Sequence, residues 1–357
     1  MYRVIRKLFV MLICVCFITG LVGCSNKDKD PSEKVIVDLA GDRVILPTKI
    51  NRVVSTSEPC TNMMVMLGQK EKLVGAYFRT LDNPWFEEFY GDTSNITSFD
   101  NYTPEAESLI ALNIDLIFVP SQERAVALRE KGITAVTIRF YTPDEVKNSV
   151  KLLGDIFGKE ALTKANLWLD YFDDTVAEIN ELIKDVAEED RPVVYEILAD
   201  KNRGPFRTYY GDNQAWLAYA GGILATKDYG DATSSTMPTE EAILATDPDI
   251  IFIGGVYARK EYQDLLVNEK WATISAVVNN EIYIEPVGSL AWNACSSEYI
   301  LLIKYCFSVM YPDRVNFNLK EEAQQFYKDF YDVDISMEKI DLMFASLAPD
   351  GGELWAQ

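Results

Sequence analysis

Three arginines and a set of aromatic residues fall where a ligand would be gripped. Ligands of parallel α/β sheets sit beyond the carboxyl ends of the strands. Just past the expected strands of the first half stand Ser57, Glu58 and Pro59, then Tyr77, Phe78 and Arg79, then Pro120 and Ser121, with Trp85 slightly further on. In the second half the same positions hold Arg207, Thr208, Tyr209 and Tyr210, then Gly255, Val256, Tyr257 and Arg259, then Ser289, Trp292 and Asn293. Guanidinium forks bind oxygens, and Tyr and Trp faces pack flat apolar rims. The expected ligand set is Ser57, Glu58, Tyr77, Arg79, Trp85, Arg207, Tyr209, Tyr210, Tyr257, Arg259, Trp292 and Asn293. Arg207 stands out because glycines bound its loop, Gly204 to Gly211. The bland alternatives are strand-pairing aromatics at Tyr209 and Tyr210 and plain surface arginines at Arg79 and Arg259. Trp216, in an apolar helical stretch, reads as core.

Composition narrows the chemistry. The chain has 357 residues, 34 Lys+Arg against 55 Asp+Glu, a formal net charge of −21 and no histidine. Such an acidic surface repels phosphate backbones, so nucleic-acid binding is not expected. Without histidine there is no Ser-His-Asp triad, Cys-His pair or His-ligated zinc. No nucleophile elbow, Walker loop or dinucleotide glycine fingerprint appears. Glu178 and Glu181 read as a solvated helix face rather than a catalytic pair. No enzyme activity, resident cofactor or metal site is therefore expected. The remaining alternatives are a lipid-anchored hydrolase working with carboxylates, an adhesive surface protein, and iron ligation by a phenolate of Tyr77, Tyr209, Tyr210 or Tyr257.

The first residues read as an address. Arg3, Arg6 and Lys7 precede an uncharged, mostly apolar run from Leu8 to Gly23 that ends Leu21-Val22-Gly23-Cys24. A basic start, an apolar core and small residues at the cut form a secretory signal, here residues 1–23. The ending resembles the lipobox of bacterial lipoproteins, which implies a lipid on Cys24. The alternative, a plain transmembrane anchor, would need a longer apolar run. Residues 24–34 are polar and charged and read as a tether. Cys60, Cys295 and Cys306 would then remain, too few and too scattered for a disulfide framework.

The rest must hold the arginines and rings in place. Short strands are expected near residues 35–39, 43–47, 52–55, 73–76, 193–197 and 281–284, alternating with helices, which predicts α/β architecture with mostly parallel sheets. The segment from Glu107 to Val119 repeats as Glu241 to Ile253, 134 residues later, with Asp115 matching Asp249 and Phe118 matching Phe252. So long an offset predicts two similar lobes rather than a solenoid. Between the copies, apolar residues at Leu162, Ala165, Trp168, Leu169, Phe172, Val176, Ile179, Ile183 and Val186 fall on one helical face. The reading is an N-terminal lobe over 35–158, one long spine helix over 159–187, a C-terminal lobe over 188–345 and a tail over 346–357.

This order of segments resembles the substrate-binding lipoproteins of ABC importers for iron–siderophores, haem and vitamin B12. The matching stretches include Asp42 to Pro47, Asn51 to Glu58, Leu73-Val74-Gly75, Trp216 to Gly222, Glu241 to Gly254 and Glu281 to Ile284. The resemblance implies a monomer, anchored outside the cytoplasm by lipid on Cys24. It would carry a small metal chelate, most simply a ferric siderophore, in the gap between two lobes. Corrinoid, haem and an oxyanion such as molybdate are the rival cargoes. The resemblance also implies that Glu107 and Glu241 dock onto the two permease subunits. Without it, each would read as an acid favoured in a helix first turn.

Overall fold

The computed structural model describes residues 34–199, 205–207, 214–227 and 239–354. The signal segment, Cys24, the expected tether up to residue 33 and the pair Tyr209 and Tyr210 lie outside the described residues; Lys34, expected to end the tether, begins the first strand.

A two-stranded sheet, β1 (Lys34–Val37) and β2 (Arg43–Leu46), precedes two larger ones. The first lobe is built on β3 (Val53–Ser55), β4 (Leu73–Tyr77), β5 (Thr97–Phe99), β6 (Leu116–Val119) and β7 (Ala135–Thr137), in the spatial order β5-β4-β3-β6-β7. The second is built on β8 (Val193–Leu198), β9 (Ile223–Leu224), β10 (Ile250–Gly254) and β11 (Ile282–Ile284), in the order β11-β10-β8-β9. Neighbouring strands in both sheets run parallel. Read along the sheet, β4-β3-β6-β7 and β9-β8-β10-β11 share one topology, and β5 is an extra edge strand of the first lobe. Their central strands are near-continuous apolar runs, Leu-Ile-Phe-Val in β6 and Ile-Ile-Phe-Ile in β10, as strands covered on both faces must be.

The sequence repeat is a structural one. Asn113 and Asp247 both take left-handed backbone, with φ of 48° and 41°. Each ends a short helix and turns the chain into its strand. Such conformations favour Asn and Asp among non-glycine residues. The helix after β3 runs Glu58–Met66, because Ser57 caps it and Pro59 sits in its first turn.

A helical hairpin links the sheets. Helix Pro143–Phe157 ends at Gly158, whose φ of 98° reverses the chain into the spine helix Lys159–Leu182. The two helices touch so closely that a Cβ on Gly154 would lie 2.8 Å from Ala165 Cβ. The spine ends at Leu182 rather than 187, where Arg314 Nη1 donates to the Leu182 carbonyl at 2.7 Å and closes the helix end. At 1.5 Å per residue it spans roughly 36 Å. Ala161, Ala165, Trp168, Phe172, Thr175 and Ile179 form its buried face.

The last helices do not belong to the second lobe alone. Helices Leu319–Tyr331 and Met337–Phe344 share one core cluster with Cys60, Met63 and Trp85 of the first lobe. The expected tail is a packed segment: Ala348 and Leu354 join the same core.

Candidate ligand cleft

The carboxyl ends of β3 to β6 converge on one wall. Ser57 follows β3, is nearly buried, and its hydroxyl accepts the Cys60 N–H at 3.4 Å. Glu58 opens the next helix, half-buried. Tyr77 closes β4 with its ring stacked on Tyr102, centroids 4.3 Å apart and planes at 26°. Arg124, in the helix after β6, places its guanidinium carbon 5.7 Å above the Tyr102 ring. Burial, first, then the Tyr77 hydroxyl and the Glu58 charge push the Tyr102 phenol above its ordinary value, and the Arg79 guanidinium opposes them. Tyr102 is thus a neutral phenol near pH 7, a packing and hydrogen-bonding surface rather than a phenolate. Ser57, Glu58, Tyr77 and Arg79 are brought to one wall. Sequence reasoning missed Tyr102 and Arg124. Tyr102 follows β5, a three-residue strand with two exposed positions that gives little alternation, and Arg124 lies one turn into a helix.

The second wall is built likewise. Tyr257 follows β10 and precedes helix Ala258–Leu266, half-buried. The chain reaches it through Gly255, at φ 96°, where a Cβ would lie 3.0 Å from the Ala199 carbonyl oxygen. Arg207 is half-buried, and its carbonyl accepts the Leu198 N–H at the end of β8. Its charge joins the stronger hydrogen bond from Lys270 in holding the Glu240 carboxyl below the usual range.

Four expected ligand residues are committed elsewhere. Trp85 is fully buried and its indole N–H donates to the Leu347 carbonyl at 2.8 Å. Trp292 is fully buried with its N–H on the Tyr327 hydroxyl at 3.2 Å. Asn293 is buried and donates to Glu196 Oε1 at 2.9 Å. Arg259 pairs with Glu353 and donates to the Ala345 carbonyl. Aromatic residues near a strand end are consumed by the core as readily as by a cleft, because burying a Trp is a large apolar gain.

The walls are held to each other by buried polar contacts. Asn62, from the first lobe, accepts the Ser297 N–H at 3.0 Å, and Asn83 donates to the Ser289 carbonyl at 3.0 Å. Behind them the fully buried Glu298 accepts from Ser289 N at 2.8 Å, Ser297 Oγ at 2.9 Å, Asn62 Nδ2 at 3.3 Å and the Ser289 hydroxyl. A buried carboxylate is tolerated only when so satisfied. A second buried acid is not: both oxygens of Glu285 lack a hydrogen-bond partner. Burial, and then the charge of Glu196, push its carboxyl well above the ordinary range.

Glu107 and Glu241 are exposed, each the second residue of a short helix, Ala106–Ala111 and Glu240–Leu244. Among the described residues Cys60, Cys295 and Cys306 are free and buried; burial pushes the Cys60 thiol up to about 12 and that of Cys306 well above its ordinary value. Among the described residues no group of three or more Cys, Asp or Glu is placed to hold a metal ion, and no helix is long and apolar enough to cross a membrane.

Comparison with known proteins agrees with this architecture. The model of the family described as "Periplasmic binding protein" matches residues 53–286. A cobalamin-binding protein of Halobacterium salinarum is 26% identical over 224 residues, which cover 61% of this chain and 57% of the relative. The match thus spans little more than half of that relative's length. The molybdate-binding protein MolA of Haemophilus influenzae is 22% identical over 90% of this chain and 95% of its own. Among solved structures, a periplasmic solute binding protein from Veillonella parvula superposes with a TM-score of 0.71 at 25% identity, covering 89% of this chain and 98% of that one.

Proposed function

Because the chain belongs to the periplasmic binding protein family, we propose that it is the extracytoplasmic receptor of an ABC importer. It would capture an anionic, ring-bearing metal chelate, most simply a ferric siderophore, between its lobes and hand it unchanged to the permease. The observation that carries this reading is the stacked pair Tyr77 and Tyr102, flanked by Arg79 and Arg124, at the carboxyl ends of the first sheet. A flat aromatic face with cations beside it fits a cargo that presents oxygens and a hydrophobic rim together. Arg207 and Tyr257 would close on the cargo from the second lobe, with Tyr209 and Tyr210 as further candidates. Lipid on Cys24 would hold the protein at the membrane. Glu107 and Glu241 would set the two-point register on the permease, since two carboxylates on a stiff body specify orientation as well as attraction.

A corrinoid is the second reading. The Halobacterium relative is named for cobalamin, and a wide macrocycle would also use the stacked wall. Molybdate, bound by the Haemophilus relative, would leave that wall without a partner.

A thermal-shift screen tests the proposal, with ferric enterobactin, ferrichrome, cyanocobalamin, haemin and molybdate as probes. At a hundred times its dissociation constant a ligand should add about 2.7 kcal/mol of stability. Stabilisation by a ferric siderophore supports the reading, by cyanocobalamin alone turns it to the corrinoid, and by molybdate alone removes the chelate.

A further inference from the structure

Two residues placed by their sequence for ligand binding do something else, and they do it together. Trp85 belongs to the first lobe, eight residues beyond Tyr77; Arg259 belongs to the second, two beyond Tyr257. Both reach the same short segment near the C-terminus. The Trp85 indole N–H donates to the Leu347 carbonyl at 2.8 Å, and Arg259 Nη1 donates to the Ala345 carbonyl at 3.1 Å. Between those carbonyls Ser346 takes a left-handed φ of 53° with its side chain buried. That reversal lets carbonyls two residues apart serve opposite lobes. Arg259 Nε also pairs with Glu353, further along. Apolar anchors reinforce the seat, for Ala348 and Leu354 are buried in the core that both lobes share. One turn upstream, Lys339 pairs with Glu88 of the first lobe, and the Met343 carbonyl accepts the Val287 N–H of the second.

We propose that residues 345–354 form a strap that ties the lobes together on the flank of the cleft and fixes its width, with Trp85 and Arg259 as positioning residues that act through it. The spine helix and the buried contacts Asn62–Ser297 and Asn83–Ser289 already join the lobes. A further tie outside these joints narrows the rotation that they leave. The strap's anchor points lie close in sequence to cleft residues, Arg259 to Tyr257 and Trp85 to Arg79, so its seating is transmitted to both walls. An open groove of about 550 Å³ runs between the strap and the first lobe, lined by Pro84, Glu87, Glu88, Asp350 and Glu353 among others. The strap is thus an added layer rather than part of a sheet, seated by Ala348 and Leu354 and open to solvent along the groove. The inference concerns the gap itself and stands whichever cargo the protein carries.

The test measures interlobe distance in the ligand-free protein. Spin labels on Glu130→Cys and Val267→Cys, both exposed and one on each lobe, report the distribution by double electron–electron resonance in the protein beginning after Cys24; the thiols of Cys60, Cys295 and Cys306 are buried. Two releases are compared with the parent, a truncation removing Leu347 to Gln357 and the single change Arg259→Ala. The Arg259 side chain is partly exposed, so its removal leaves the core intact if the truncation does not fold. The expected result is a broader distribution with a shifted mean in the released variants, at unchanged far-UV circular dichroism. Arg259→Lys should restore part of the parent's narrow distribution. A distribution identical to the parent's in Arg259→Ala overturns the strap, even if the melting temperature falls, because lost stability alone would show only a structural contact.

Discussion

Asp115 and Asp249 perform one task at two places in the chain. Asp115 Oδ2 accepts the N–H groups of Asn51 and Arg52 at 2.7 and 2.9 Å, just before β3. Asp249 Oδ2 accepts the Val193 N–H at 2.8 Å, at the start of β8. Each aspartate also donates its own N–H to the chain it grips, Asp115 to the Arg52 carbonyl and Asp249 to the Val193 carbonyl, both at 2.8 Å. The pair sets the register of the two central strands in each lobe. It also fixes the short helices upstream, and with them the exposed carboxylates of Glu107 and Glu241.

Reversing those carboxylates should separate capture from delivery. Glu107→Arg or Glu241→Arg is expected to leave cargo affinity within about twofold of the parent, since both side chains are exposed. The double variant should abolish uptake in vesicles carrying the cognate permease. Undiminished uptake by the double variant would remove the docking role.

The stacked wall should matter to affinity. Tyr102→Ala is expected to weaken binding of whichever chelate the screen identifies by about 0.5–1.5 kcal/mol for the lost ring pairing, and more where the cargo itself lies on the ring. Arg124→Ala should weaken an anionic cargo more than a neutral one, measured by isothermal titration. Equal affinity of both variants for the chelate would move the cargo off this wall.

Glu285 gives the fold a pH dependence of definite sign. Its native carboxyl titrates above the ordinary value because it is buried and faces the charge of Glu196; Asn293, Cys306 and Tyr305 are its other polar neighbours. A raised native pKa means that the folded state holds the proton more tightly than the unfolded one. The contribution is therefore fully present below the unfolded value of about 4.3 and is lost as the pH rises toward the native value, by up to about 1.4 kcal/mol per pH unit. Glu285→Gln should be nearly neutral at pH 5 and more stable than the parent at pH 8, read from urea midpoints at each pH. An equal difference at both pH values would show that the native carboxyl is ionised throughout.

Gly154 should tolerate nothing larger. A Cβ there meets Ala165 Cβ at 2.8 Å and Leu162 Cα at 3.0 Å. Alanine gains about 0.8–1 kcal/mol of helix propensity, but overpacking against backbone that cannot swing aside costs about 1–3 kcal/mol. Gly154→Ala should lower the chemical-denaturation midpoint and Gly154→Val lower it further. A raised midpoint for Gly154→Ala would show that the hairpin can open to admit a methyl group.

Periodicity and repetition carried the architecture into the open. The Glu107 and Glu241 segments align without a gap, sharing the Glu, the Asp and the Ile-Phe pair, because each must make the same helix, turn and buried strand, and the spine declares itself through a three-and-four spacing from Leu162 to Ile179. These are local properties, written in neighbouring residues. β5, β7 and β9 escaped: unlike the equally short Val-Val-Ser of β3 and Ile-Tyr-Ile of β11, the Thr-Ser-Phe of β5 and the Ala-Val-Thr of β7 carry a single large apolar residue each, and β9 has only two residues. The candidate site was half legible: the position after a strand is a local fact, and Ser57, Glu58, Tyr77 and Arg79 do stand at or just past strand ends of the first sheet. Whether a ring or guanidinium at such a position meets solvent or core is not local. Trp85, Trp292, Asn293 and Arg259 look like cleft residues by position, yet the chain's last fifty residues fold back and take the hydrogen bonds of Trp85, Trp292 and Arg259, and Glu196 takes that of Asn293. Sequence determined the two lobes, the rod between them and the acidic, histidine-free character that sets aside histidine-dependent catalysis. Only the tertiary structure decided which polar and aromatic groups remain available, because that depends on distant segments arriving to bury them.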